Sequence, residues 1–347
     1  MKINIIIPFT FLTGGIRVIF LYCNNLVENG HDVLCYVPMK AYRFNNSLIK
    51  NIKSSIGNTF KRRENVNWID CKFKIKLVPI ISNKYLRNAD FSIATAWPTA
   101  YDLYKLKESK GKKIYFIQDY EIWSGKIKDV NSSYKLPLNR IVITKNLKQL
   151  LKDNFNVEST VIYNGLNNNE YISTEKKLNR IKTILMLYNE SKNKGTDEGM
   201  KILLELYQKY KIRIILFGYR KNKKIPLEFE FYENPDRDAL MNLYREADIY
   251  LFPSKHEAWG LPVMEAMANK CAIIGNDVGC IREICKNNEN AIVIPDLNYQ
   301  IMKEKLELLI HNDDLIRKIE ENGYELAKKF EWSNSFRELE QYLLKLK

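Results

Sequence analysis

Short, nearly continuous apolar runs alternate along the chain with longer segments of helical periodicity. A strand covered on both faces is apolar throughout, so such runs predict buried parallel strands. In the first half they are residues 3–7, 32–37, 91–96, 113–117 and 140–144. Residues 13–29 have helical periodicity and are followed by Gly30, which predicts the first crossover helix. Alternation of this kind predicts a doubly wound sheet.

A polar segment, VIYNGLNNNEY at residues 161–171, interrupts this alternation and is typical of a linker. Further apolar runs follow at residues 183–188, 212–218, 247–253, 271–277 and 291–296. Residues 301–347 read as helices interrupted near residues 330–336. Two such halves predict two Rossmann-like, doubly wound α/β domains that face one another across a cleft. Ligands of these sheets bind beyond the carboxyl ends of the strands, so we expect the site there.

The excess of positive charge lies almost entirely in the first half of the chain. The 347 residues carry a formal net charge of +14. Residues 1–170 hold 26 Lys and Arg against 13 Asp and Glu, whereas the rest of the chain holds 29 against 28. This asymmetry predicts an anionic partner for the first half, such as a membrane surface, a polyanion or an anionic acceptor. The alternative is that these lysines only cover solvated faces.

Residues 45–63 combine lysines and arginines with apolar residues at helical spacing. The apolar members are Leu48, Ile49, Ile52, Ile56 and Phe60. A basic amphipathic helix of this kind can lie on anionic lipid and bring the first domain to a lipid-linked acceptor. The alternative is that the apolar stripe packs against its own domain.

The spacing of the cysteines and the length of the apolar runs indicate where in the cell the protein is expected. The six cysteines show no C-x-x-C spacing and the chain has three histidines, which disfavours a disulfide framework or a zinc site. No apolar run reaches the roughly 18 residues of a spanning helix. Residues 1–10 read as a buried strand rather than a signal peptide. We therefore expect a cytoplasmic protein with reduced thiols.

The segment SKHEAWGLPVMEAMANK, residues 254–270, carries the strongest candidate chemistry. Glu257 and Glu265 flank a Gly-Leu-Pro turn, and Pro262 suits the first turn of a helix because it lacks an N–H. Free amides at such a helix start can bind a diphosphate. The two carboxylates would then suit the two sugars of a nucleotide sugar. The alternative is that both acids only stabilise the helix start.

Residues 253–284 resemble the donor-binding signature of the retaining glycosyltransferases of family 4, which have the GT-B fold. That signature has two Glu separated by seven residues, then an apolar strand and an Arg-Glu pair, here Arg282 and Glu283. The resemblance covers essentially the whole chain. Shorter matching segments follow the family's order: TGGIRV (13–18), YNG (163–165), NKGTDEG (193–199) and FEWSNSF (330–336).

The resemblance implies both domain limits and residue roles. In that fold the last helix returns to the first domain, so residues 1–164 with 331–347 would form one domain and residues 165–330 the other. Glu265 would bind the ribose, Glu257 the hydroxyls of the transferred sugar, and Lys194 the diphosphate, where its charge would stabilise the leaving group. The other expected donor contacts are Gly14, Gly15, Lys192, Trp259, Gly260, Leu261, Pro262 and Val263.

Three positions depart from the family's pattern. Asn189 replaces an arginine, for which Lys192 is a candidate substitute, and Ala258 replaces a glycine. Gln118 stands where many members have a histidine, and its Gln-Asp-Tyr-Glu run is similar to a subgroup that includes rhamnosyltransferases of bacterial surface polysaccharides. Asp119 is thus a candidate to contact the acceptor hydroxyl or the sugar. A structural hydrogen-bond network is the alternative.

Residues 234–240 contain Asp-x-Asp, the metal-binding pattern of the other large glycosyltransferase fold. A helical pattern follows, so we predict instead that Asp236 caps a helix after Pro235. We expect neither a metal nor a cofactor. For His256 we expect a supporting hydrogen bond rather than contact with the sugar.

These features together predict a retaining, metal-independent glycosyltransferase. It would move a hexosyl or deoxyhexosyl unit from a nucleotide-diphosphate sugar to a hydroxyl of a glycan or lipid-linked precursor, in cell-surface polysaccharide or glycoprotein synthesis. We expect peripheral contact with the inner face of the membrane and no nucleic-acid partner. The alternatives are a nucleotide-sugar epimerase of the same fold and a basic nucleic-acid-binding protein.

Overall fold

The computed structural model of the protein describes residues 1–42, 44 and 66–347. The chain divides into two compact units, Met1–Tyr163 with Asn334–Lys347, and Asn164–Ser333. Each unit contains one parallel sheet with helices between its strands. The amphipathic helix predicted at residues 45–63 lies outside the described residues.

The first unit has a seven-stranded sheet in the order β3-β2-β1-β4-β5-β6-β7, with every described pairing parallel. Its elements are β1 (Lys2–Ile6), α1 (Gly14–Glu28), β2 (Asp32–Pro38), β3 (Lys74–Val78), β4 (Phe91–Ala94), α2 (Trp97–Tyr104), β5 (Lys112–Ile117), α3 (Ile127–Tyr134), β6 (Asn139–Val142), α4 (Lys145–Phe155) and β7 (Thr160–Val161).

The second unit has a six-stranded sheet in the order β10-β9-β8-β11-β12-β13, again with parallel pairings. Its elements are β8 (Thr183–Leu187), α5 (Thr196–Lys209), β9 (Arg213–Gly218), β10 (Glu230–Glu233), α6 (Arg237–Glu246), β11 (Ile249–Phe252), α7 (Leu261–Ala268), β12 (Ala272–Asn276), α8 (Gly279–Ile284), β13 (Ile292–Ile294), α9 (Tyr299–Ile310) and α10 (Asp313–Ala327). The last helix, α11 (Trp332–Leu346), ends in the first unit.

All ten strands predicted from apolar runs are confirmed, and within the described part of the chain three further strands were missed. The missed strands are β3, β7 and β10, and each lies at an edge of its sheet. An edge strand has one partner and is partly solvated, so it needs no continuous apolar run. The sequence of β3, KIKLV, alternates lysines with apolar residues for this reason.

The helix caps predicted from the sequence are also present in the structure. The Thr13 side chain accepts a hydrogen bond from the Ile16 amide at 3.2 Å and begins α1, while Gly30 follows that helix with a φ of 78°. The prediction for Asp236 is confirmed, because its side chain accepts from the Ala239 amide at 2.8 Å at the start of α6. Such a cap contributes about 1 kcal/mol.

Among the described residues, the structure has no helix with the length and apolar composition needed to cross a membrane.

A buried lysine ties together the ends of two helices in the second unit. Lys176 is 7% exposed. Its ammonium group donates to the carbonyls of Tyr244 and Ala247 at the end of α6, and to those of Asn269 and Lys270, just after α7, at 2.9 and 2.7 Å. A cation is favourable there because helix C-termini carry unsatisfied carbonyls and a partial negative charge. Lys176 thereby fixes α6 and α7 relative to one another.

Lys176→Met should destabilise the second unit by about 3 kcal/mol, because several buried carbonyls lose a charged donor. Urea unfolding followed by fluorescence would measure the change in midpoint. The matched control is Lys177→Met, since the neighbouring Lys177 is exposed and should be within about 0.5 kcal/mol of wild type. Equal midpoints for the two variants would contradict the role of Lys176.

Candidate active site

Two neighbouring strands of the second sheet are followed by loops that carry charged residues, and both loops lie at the carboxyl ends of the strands. Lys194 lies in the loop after β8, and Glu257 lies in the loop after β11. The Lys194 ammonium donates to Glu257 Oε2, and the two side chains are only 26% and 21% exposed. The fold thus joins residues 63 positions apart in sequence. It does so where a parallel sheet is expected to bind ligands.

Backbone contacts hold these two loops against each other. The amides of Lys255 and His256 donate to the Asn193 carbonyl at 2.8 and 3.2 Å. Gly195 adopts a φ of 61°, and a Cβ there would lie 2.0 Å from the Pro253 carbonyl oxygen. Only glycine fits this left-handed position and close approach. The position of Lys194 is therefore fixed by the backbone that follows it.

Helix α7 begins beside Glu257 with the predicted turn chemistry. Gly260 precedes the helix with a φ of 95°, and Pro262 is its second residue. Leu261 and Pro262 are partly exposed. The amide of Val263 donates to the Gly260 carbonyl at 3.0 Å, so the tight first turn satisfies this amide itself.

The Trp259 side chain is buried in the second unit. It is 2% exposed, and its ring packs 5.5 Å from that of Phe330. The indole is therefore part of the core, and the contact of this residue with the donor stays a prediction. Its backbone carbonyl still shapes the loop, since it accepts from the Cys280 amide at 2.5 Å.

Glu265 lies in the second turn of α7 and is buried in an ionic network. Its side chain is 4% exposed. Its Oε1 is 2.8 Å from Arg237 Nη1, and its Oε2 accepts from the Tyr244 hydroxyl at 3.1 Å. Arg237 also pairs with the buried Glu170. Sequence reasoning missed both partners, because Arg237 was considered only as part of a helix start and Glu170 only as linker.

Three further predicted residues of the second unit, Asn189, Lys192 and Arg282, lie in loops or on the surface and outside these ion pairs. Asn189 Oδ1 accepts from the Ser191 amide at 2.9 Å, so this side chain orders its own loop. Lys192 is exposed beside Lys194. Arg282 pairs with Asp277 at 3.2 Å on the surface. None of the three contacts Glu257 or Glu265 in a described hydrogen bond or ion pair.

In the first unit, Gln118 and Asp119 follow β5 and are held by nearby groups. Gln118 Nε2 donates to the Gly15 carbonyl at 3.1 Å, and a Cβ on Gly15 would lie 3.3 Å from the same nitrogen, whereas one on Gly14 meets no atom within 4 Å. The Asp119 carboxylate accepts from the Tyr120 amide at 2.8 Å and from Trp123 Nε1 at 2.9 Å. These bonds agree with a structural network, and a contact of Asp119 with the acceptor or the sugar stays a prediction.

Glu121, two residues further on, has the more unusual environment. Its Oε2 accepts from the Trp97 amide at 2.8 Å and from the Tyr115 hydroxyl at 3.3 Å. The residue as a whole is half-buried, but its carboxyl group is enclosed. Burial raises the pKa of Glu121 to about 8, with Asp119 adding to the rise and the Trp97 amide opposing it. The group is therefore protonated at neutral pH.

Glu121→Gln should remove one pH dependence of stability. The folded pKa of Glu121 lies above its ordinary value of 4.5, so the wild-type protein loses stability as the pH rises from there through about 8. The variant keeps a neutral acceptor and should not lose this contribution. Thermal unfolding between pH 5 and pH 9 would measure the gap between the two proteins. A gap that stays constant across this range would contradict a buried, neutral Glu121.

Comparison with known proteins supports the family over part of the chain. Residues 168–326 match the family described as glycosyl transferases group 1. An uncharacterized glycosyltransferase of Methanocaldococcus jannaschii is 27% identical over 209 residues, which cover 55% of each chain. The chain spans about half the length of this and a second curated relative from that organism.

Solved structures match over nearly the whole chain. The sucrose-phosphate synthase of Thermosynechococcus elongatus has a TM-score of 0.75 at 12% identity, covering 99% of this chain and 98% of its own. HepE of Anabaena, solved with UDP-glucose, has a TM-score of 0.74 at 12% identity, covering 99% and 100%. At this identity the likeness shows the fold, and the GT-B prediction is confirmed. The resemblance to glycosyltransferases is confirmed over the matched residues.

Proposed function

We propose that the protein is a retaining glycosyltransferase that uses a nucleotide-diphosphate sugar. The observation that carries the proposal is the ion pair of Lys194 and Glu257 at the carboxyl edge of the second sheet, in the same unit as Glu265. All three residues lie within the segment that matches the glycosyl transferases group 1 family. Two acids and a lysine near the carboxyl ends of the strands suit a ligand that has a diphosphate between two hydroxyl-bearing sugars.

Each of the three side chains has a distinct role in this proposal. Lys194 has three N–H donors, so its ammonium group can keep Glu257 and still bind a phosphate oxygen. Its charge stabilises the nucleoside diphosphate as the bond to the sugar breaks. Glu257 accepts hydrogen bonds from the hydroxyls of the transferred sugar. Glu265 accepts from the hydroxyls of the ribose.

The finer parts of the proposal rest on the family resemblance. Retention of stereochemistry places attack and departure on the same sugar face, where stabilising the leaving group matters more than a strong base. Metal independence fits a site in which Lys194 supplies the positive charge. We propose a glycan or lipid-linked acceptor and peripheral contact with anionic membrane because the first half of the chain carries the charge excess. The sugar, which includes rhamnose as a candidate, stays a prediction.

A thermal-shift screen of nucleotide sugars identifies the donor, since a true donor stabilises the folded state by mass action. With that donor, Lys194→Ala and Glu265→Ala should each lower turnover by about 100-fold, measured as release of the nucleoside diphosphate. The matched control is Lys209→Ala, because Lys209 forms a surface ion pair with Glu307 at the far end of α5. This control should keep wild-type turnover.

Wild-type turnover in both site variants would overturn the assignment of roles. Release of free sugar or of an epimer in the absence of any acceptor would instead identify a nucleotide-sugar epimerase.

A further inference from the structure

One arginine joins two buried carboxylates behind the proposed donor site. Arg237 Nη1 lies 2.8 Å from Glu265 Oε1, and Arg237 Nη2 pairs with Glu170 Oε1. The carboxylate side chains are 4% and 5% exposed, whereas that of Arg237 is 33% exposed. The guanidinium is thus the cation that compensates both buried acids.

Three separate elements supply this cluster, and each one fixes its residue. Arg237 is the first residue of α6, directly after the capping Asp236. Glu265 lies on α7. Glu170 ends the 3-10 turn Asn168–Glu170, and its second oxygen accepts from the Asn167 amide at 2.8 Å. The cluster therefore connects Glu265 to the segment that opens the second unit.

The energetics explain why the cation must be an arginine. A buried carboxylate without a partner costs several kcal/mol, and a planar guanidinium can bond two carboxylates at fixed angles. Burial by itself lowers the pKa of Arg237, but the charges of Glu265 and Glu170 outweigh this effect and the net pKa is raised. Arg237 and the Tyr244 hydroxyl contact different oxygens of the Glu265 carboxylate, Oε1 and Oε2, so together they fix its orientation.

We propose that Arg237 is a positioning residue for nucleotide recognition: it holds the Glu265 carboxylate in the orientation that accepts hydrogen bonds from the ribose hydroxyls. Glu170 in turn holds Arg237. This inference rests on the proposed function, since it assumes that Glu265 meets a ribose. A merely structural arginine would stabilise the fold without affecting how the protein distinguishes one ribose from another.

The experiment compares nucleotides that differ only in the ribose. Isothermal titration measures Kd for UDP, GDP, ADP and dTDP and for the 2′,3′-dideoxy counterpart of each. The wild-type protein should bind one of the parent nucleotides about 30-fold more tightly than its dideoxy counterpart, since the latter cannot donate to a charged acceptor. Arg237→Met should reduce this ratio to less than about 3-fold, mainly by weakening the parent nucleotide.

Arg213→Met is the matched control. Arg213 also bridges two carboxylates, Glu230 and Glu246. It is the first residue of β9 and so lies at the amino ends of the strands, away from the proposed site. This variant also loses ion pairs to two carboxylates, although these are more exposed, at 42% and 49%, and it should keep the wild-type ratio. Because Arg237→Met removes the partner of two buried acids, Arg237→Lys is tested in parallel. It keeps the charge without the planar fork, and it should retain an intermediate ratio.

The outcomes separate this inference from the proposed function. If the wild-type protein binds none of the nucleotides, both fail together. If it binds one of them but does not distinguish the dideoxy form, the role of Glu265 at the ribose is wrong and the inference falls with it. If the wild type discriminates and folded Arg237→Met and Arg237→Lys do so equally well, Arg237 is only structural. A ratio that is lost in Arg237→Met, intermediate in Arg237→Lys and kept in Arg213→Met supports the proposal.

Discussion

The ion pair between Lys194 and Glu257 depends on one constraint, the shared direction of the strands in a parallel sheet. Because β8 and β11 are parallel neighbours, the loops that follow them begin at the same end of the sheet. Hydrogen bonds from Lys255 and His256 to Asn193 then bring the loops together. Two residues far apart in sequence thereby form one ion pair.

Buried charges around this site are compensated rather than avoided. Lys176 donates to carbonyls at the ends of α6 and α7, and Arg237 forms ion pairs with both Glu265 and Glu170. Removing either cation would leave buried polar groups without partners, which costs more than the net gain of forming the bonds. The two cations act on the same pair of helices, Lys176 at their C-terminal ends and Arg237 from the start of α6. The proposed ribose ligand, Glu265, is thus held by the packing of α6 and α7.

Much of the fold could be predicted from the sequence, because strands covered on both faces have continuous apolar runs. The edge strands β3, β7 and β10 could not be predicted this way, since exposure relaxes that requirement. Glu257, Glu265 and Lys194 were singled out from motifs; the structure pairs Lys194 with Glu257, and the roles of all three residues stay predictions. The burial of the Trp259 ring was not predicted, because aromatic character does not reveal whether a ring faces a ligand or the core. Arg237 and Glu170 were missed because their meeting with Glu265 depends on tertiary packing of separate segments.

A crystal structure with the intact nucleotide sugar chosen by the thermal-shift screen tests the central claim most directly. The account predicts that Lys194 Nζ contacts a diphosphate oxygen and that the carboxylates of Glu257 and Glu265 lie within hydrogen-bond distance of the transferred sugar and the ribose, respectively. A donor bound elsewhere on the second unit, with Lys194 still paired only to Glu257, would contradict it.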